Sequence, residues 1–202
     1  MKVQISDNKK KKWENFWYYY KYHVLLGGFF LFALVVFIHD MLTKPEYDYT
    51  IAVVGDMALY EEDKNSLQTW FKEHGEDLNG DGEILIQVSD YYIPKEDEDP
   101  QILMANQTKL TVDMQEADSI IYFFSDASLE RYKDSGVLST EDSAYTPVAQ
   151  CKGFEEAGSP ASVQDMVVGM RILNPDTKQS QDPELQEYYK ACEALLAAFI
   201  GA

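Results

Sequence analysis

The sequence predicts a single membrane-crossing helix followed by an α/β domain of three layers. Three observations predict it. Residues 24–38 run from Val24 to Ile38 without one polar side chain. Beyond them, short β-branched and aromatic runs alternate with amphipathic stretches of helical period. The charge also separates: seven of the 17 basic residues and only three of the 35 acids fall in residues 1–44.

The apolar run alone would make about 22 Å of helix, short of a hydrocarbon core of roughly 30 Å. Trp17, Tyr18, Tyr19, Tyr20 and Tyr22 precede it, and Met41 and Leu42 follow the polar His39 and Asp40. Aromatic rings sit well at the headgroup level, so these residues extend the crossing. The expected span is 23–43, with a basic and aromatic tail at 1–22 and a linker at 44–48 carrying Pro45. A cleaved secretory signal is the rival, but no Ala-x-Ala-like pair follows Ile38. Lys9, Lys10, Lys11, Lys12 and Lys21 flank the amino side, against Lys44 alone beyond. The positive-inside rule then puts the tail in the cytoplasm and residues 49–202 outside the cell membrane.

Residues 45–202 carry 32 of the 35 acids. Such a balance disfavours nucleic acid as a partner and suits cations, basic peptides or simple solubility. Membrane lipid is the expected partner of residues 23–43 only. Cys151 and Cys192 both fall outside, where export permits a disulfide, although each could equally be a small buried apolar residue.

The elements follow in order. Tyr49 to Val54 is a compact β-branched run ending at Gly55, a buried strand. Residues 60–74 place Leu67, Trp70, Phe71 and His74 on one face, with Glu61, Glu62 and Asp63 at the favourable amino end. A second strand spans Glu83 to Val88 and extends toward Ile93, before an acidic loop at 94–99. Asp99-Pro100 opens a helix through a capping acid and a proline at its first position; Leu103, Leu110 and Met114 mark its apolar face. Ser119 to Phe124 is the third strand, followed by a short helix with Leu129 and Tyr132. Residues 139–164 read as loop. Met166 to Leu173 is a late strand, and Asp182-Pro183 opens a terminal helix with Leu185, Tyr188, Tyr189, Cys192, Leu195, Leu196 and Phe199 at helical spacing. This alternation predicts a mainly parallel sheet with crossover helices, order 2-1-3 plus the late strand.

Two constellations carry candidate chemistry. Asp77, Asn79 and Asp81 stand at alternate positions before Gly82, with Glu83 next, as in the opening of a calcium loop. Val88 occupies the place of the closing bidentate Glu, so an Asx-rich turn without metal competes with calcium as the reading. The second constellation is positional. Asp56, Asp90, Ser125 and Asp126 close the three early strands, where a parallel sheet gathers its carboxyl ends and binds ligands. Asp56 and Asp126 serve equally well as caps or turn residues. Arg171 interrupts an apolar strand, either to pair with a ligand carboxylate or to answer an acid on a solvated face. His23, His39 and His74 offer no triad, and no glycine-rich phosphate loop occurs; the domain reads as non-enzymatic.

Tyr49-Thr-Ile-Ala-Val-Val, Glu76-Asp-Leu-Asn-Gly-Asp-Gly-Glu-Ile, Ala117-Asp-Ser-Ile-Ile-Tyr-Phe-Phe, Asp134-Ser-Gly-Val-Leu and Met170-Arg-Ile-Leu resemble segments of bacterial extracytoplasmic solute-binding proteins, most of all small membrane-anchored relatives. The resemblance implies one periplasmic-binding-protein-like α/β lobe over residues 49–200, where the family uses two lobes to trap solute. The expected role is therefore an extracytoplasmic binding or assembly module, accessory to a transporter or another membrane protein. A calcium-stabilised structural domain and an exported hydrolase using the Asp56 and Asp126 edge are the alternatives.

Overall fold

The computed structural model describes residues 7–43, 45–94, 99–175, 177 and 179–201, the side chains of 7–12 and 40–43 excepted. The side chains of Lys9 to Lys12, Met41 and Leu42, together with Lys44 and most of the acidic loop, lie outside the described residues. The chain divides between Pro45 and Glu46 into two compact units.

The first unit is one helix, α1 (Asp7–Thr43), of 37 residues. It begins well before the expected span, because residues 7–22 contain neither glycine nor proline to stop it. Within its segment Trp13–His39 an 18-residue window has a mean hydropathy of 2.0, and this helix is long and apolar enough to cross a membrane. Phe29, Phe30, Phe32 and Phe37 stand exposed along it.

The second unit is an α/β domain. Its strands are β1 (Tyr49–Gly55), β2 (Ile86–Tyr92), β3 (Ile121–Phe124), β4 (Tyr145–Pro147) and β5 (Val167–Met170). Its helices are α2 (Glu61–His74), α3 (Pro100–Glu116), α4 (Asp126–Tyr132), α5 (Lys152–Glu156) and α6 (Pro183–Ile200). The strand order is β2-β1-β3-β5-β4. Strand β1 is parallel to both β2 and β3, pairing Ile51 with Val88 and Ile121, so the expected 2-1-3 core is present.

The sheet as a whole is mixed, which corrects the expectation of a mainly parallel one. Strand β5 lies antiparallel to β3 and to β4. A parallel return needs a crossover of a dozen or more residues, usually a helix across the sheet. The chain between β3 and β5 is long enough, but its helices are α4 with seven residues and α5 with five; neither can lie across the sheet as a crossover helix, and β5 runs against its neighbours. The edge strand β4 falls inside the stretch expected to be loop. Three residues are too few for a hydrophobic period. Gly169 lets β4 approach: a Cβ there would stand 2.6 Å from the Tyr145 ring.

The alternation of β1 sends Ile51 and Val53 to one face and Ala52 and Val54 to the other. On the first face α2, α5 and α6 bury Phe71, Phe154 and Phe199, and on the second α3 and α4 contribute Leu110, Met114 and Leu129. Phe199 is the hub of the larger core. It stacks on Phe71 at 5.2 Å and meets Trp70 and Phe123 edge-on at 5.0 and 5.5 Å. Such contacts add about 0.5–1.5 kcal/mol each beyond area burial. His74 belongs to the same cluster, stacked on Trp70 at 4.0 Å. Cys151 and Cys192 are buried free thiols; burial pushes them up to about 11 and about 12.

Candidate functional site

The residues of the predicted ligand edge stand at the ends of neighbouring strands. Asp56 and Asp126 are exposed. Ser125 caps α4 by accepting from the Ser128 N–H at 3.3 Å. Asp90 accepts from the Leu59 N–H at 3.1 Å through Oδ2, while its buried Oδ1 has no partner. Burial raises the Asp90 carboxyl above its usual range, against the pull of that N–H and of Lys109 and Lys64. None of the four residues lines either of the two cavities described below.

The acidic loop folds as a series of Asx turns. Asp77 accepts from the N–H groups of Gly80 and Gly82 at 2.7 and 2.9 Å, Asn79 from Asp81 at 2.9 Å, and Asp81 from Glu83 at 2.8 Å. Among the described residues no group of three or more His, Cys, Asp or Glu side chains is placed to hold a metal ion. The loop is fastened from below by Asp48. This carboxylate is 3 % exposed and accepts from the N–H groups of Leu78, Asn79 and Leu85 at 2.8, 3.2 and 2.7 Å. Asp48, expected in the linker, is thus a structural residue of the domain.

A larger opening lies elsewhere. A groove of about 1000 Å³ runs along β2 and beside the amino end of β1. Thr50, Gln87, Ser89 and Tyr91 line it from the strands, Lys109 and Asp113 from α3, and Glu184, Glu187 and Tyr188 from the start of α6. The Tyr188 hydroxyl accepts from the Thr50 N–H at 3.0 Å, satisfying β1 where β3 has not yet begun.

At the base of the groove Asp113 is buried, with 3 % exposed. It accepts three hydroxyl hydrogen bonds: Tyr91 at 2.8 Å, Ser119 at 2.6 Å and Tyr122 at 2.6 Å. Three donors on one carboxylate offset much of its desolvation cost. Burial first, then the Asp113 charge, raises both phenols, so they keep their protons and donate. Sequence reasoning missed this residue. The signal was available: an acid between Leu110 and Met114 on the apolar stripe of a helix can face only the core.

The groove is acidic. Asp118, Glu184 and Glu187 face it beside Asp48 and Asp113, and among the described residues Lys109 is the single amine against them, 4.9 Å above the Tyr91 ring. Partial burial and the neighbouring charges of Asp113 and Glu116 raise the Asp118 carboxyl above its ordinary value. An arriving cation would relieve that crowding. Tyr47, Tyr91 and Tyr188 add aromatic surface suited to a cationic or hydroxyl-rich ligand.

Arg171 is not on a solvated face. It is 4 % exposed, and Nη1 donates to the Met114 carbonyl at 3.0 Å.

No protein-family profile, curated protein or solved structure matches this chain.

Proposed function

We propose that this chain is a single-pass membrane protein whose amino terminus faces the cytoplasm and whose α/β domain is a non-enzymatic binding or assembly module outside the cell. Helix α1 supplies the anchor, with lipid as its partner. The domain works beside a transporter or another membrane protein and receives a basic segment of that neighbour in the groove under β1 and β2. The observation that carries this reading is the lining of the groove, where among the described residues five carboxylates stand against one lysine amine. The likeness to one solute-binding lobe agrees with it, since a lone lobe offers a wall for a partner rather than a closing trap.

The test is binding of a lysine-rich peptide to the full chain in nanodiscs, read by fluorescence anisotropy. The double variant Glu184→Gln, Glu187→Gln should weaken binding several-fold, and added salt should weaken the wild type. Equal affinity of wild type and variant would sink the reading. Orientation is tested separately with Ser159→Cys, an exposed position, since Cys151 and Cys192 are buried. A membrane-impermeant thiol reagent should label it on intact cells.

A further inference from the structure

A second cavity, of about 300 Å³, lies against the carboxyl end of α3. Thr111 and Met114 of α3 form one wall, Tyr132 and Val137 another, and Arg171 with Leu173 a third. Among the described residues, two hydrogen-bond donors in this wall have no acceptor. The Arg171 Nε is buried and makes no hydrogen bond; the buried Tyr132 hydroxyl donates to no acceptor, while the donors Gln107 and Arg131 stand near enough to its oxygen to hold its pKa down against burial. Arg171 is more than nine-tenths buried, and its Nη1 goes to a main-chain carbonyl. Among the described residues no carboxylate forms an ion pair with it.

Burying a guanidinium is costly unless an anion or several acceptors surround it. The carbonyl end of α3 offsets part of that cost through the partial negative charge of a helix carboxyl terminus. Among the described residues no ion pair answers the rest. A carboxylate presents two acceptor oxygens, one for each orphaned donor, and a guanidinium binds it with a matched charge. Met114, Val137 and Leu173 provide apolar surface for the remainder of the molecule, and the volume lies at the lower limit of small-molecule sites.

We infer that this cavity binds a small organic monocarboxylate with an apolar tail, its oxygens accepting from the Arg171 Nε–H and the Tyr132 hydroxyl. The site is independent of the acidic groove and takes a ligand of the opposite charge.

The chain has two arginines, Arg131 and Arg171, so ¹⁵N-labelled full-length protein in detergent micelles gives two Nε–H resonances. Sodium butyrate is the probe. One resonance, the one missing from Arg171→Met, should shift saturably with butyrate and stay in place with butyramide. Should Arg171→Met fail to fold, two gentler variants carry the test. Tyr132→Phe should weaken butyrate binding several-fold. Thr111→Trp, on the exposed side of α3, should obstruct the cavity and weaken it about tenfold or more. No saturable shift up to about 50 mM butyrate, or an equal shift with butyramide, would overturn the proposal. So would unchanged affinity in both folded variants.

Discussion

The Tyr122 hydroxyl donates a 2.6 Å hydrogen bond to the buried carboxylate of Asp113. That bond ties the central strand β3 to α3 through the floor of the groove. Tyr91 and Ser119 converge on the same carboxylate. Removing the acceptor orphans three hydroxyls at once, whereas removing one phenol leaves two donors in place. Asp113→Ala should therefore destabilise the domain by about 3 kcal/mol or more, and Tyr122→Phe by about 1 kcal/mol. Chemical denaturation of the full chain in micelles measures both. Similar losses for the two variants would show that Asp113 is not the hub.

Asp48 fastens the loop between α2 and β2 through three main-chain N–H groups. These are charge-assisted bonds to a buried carboxylate, so Asp48→Ala should cost about 2–4 kcal/mol. Tyr47→Ala, at an exposed neighbouring position, should cost far less. If the two variants unfold together with the wild type, residues 45–48 behave as the linker that the sequence suggested.

Asp118 predicts a pH dependence. Its folded carboxyl is raised above the ordinary value of 3.8 by partial burial and by Asp113 and Glu116. Ionisation therefore opposes folding, and this penalty is fully present above the raised value. Asp118→Asn should melt at a slightly higher temperature than wild type at neutral pH. The advantage should vanish as pH falls toward 3.8. A variant advantage that instead grows on acidification would contradict the assignment.

Gly153 sits in α5 where a Cβ would lie 2.4 Å from the Phe199 ring and 2.9 Å from Trp70. Both rings belong to the aromatic cluster and cannot retreat without disturbing it. Gly153→Ala should destabilise by about 1–3 kcal/mol, the usual cost of overpacking. A neutral or stabilising effect, read by thermal melting, would mean that α5 packs more loosely.

Calcium discriminates between the two readings of the loop at Asp77, Asn79, Asp81 and Glu83. As a series of Asx turns, it should leave the melting temperature of the full chain unchanged on adding calcium after chelator treatment. A rise that disappears in Asp77→Asn would restore the metal reading.

Much of the fold was legible. The strands at Tyr49–Gly55 and Ile121–Phe124 are nearly continuous apolar runs, broken only by Thr50, because both faces of the sheet are covered. Asp99 and Asp182 announced their helices, and both side chains accept main-chain N–H groups as capping residues. The reversal of β5 was hidden, since strand direction depends on what connects the strands and not on their composition. The candidate site was largely hidden too. Asp56, Asp90 and Asp126 drew attention by their position at strand ends, whereas Thr50, Asp113, Asp118 and Glu187 meet only through three separate elements and a loop.

The sequence alone determined the apolar helix, the elements of the domain and its acidity, because hydrophobic period, capping residues and charge act over a few neighbouring positions. Only the tertiary structure decided which carboxylates are turn acceptors, which one gathers three hydroxyls, and that Arg171 lies buried beside an orphaned phenol. Those outcomes depend on distances between residues tens of positions apart, and such distances exist only once the sheet has set the register of the layers packed against it.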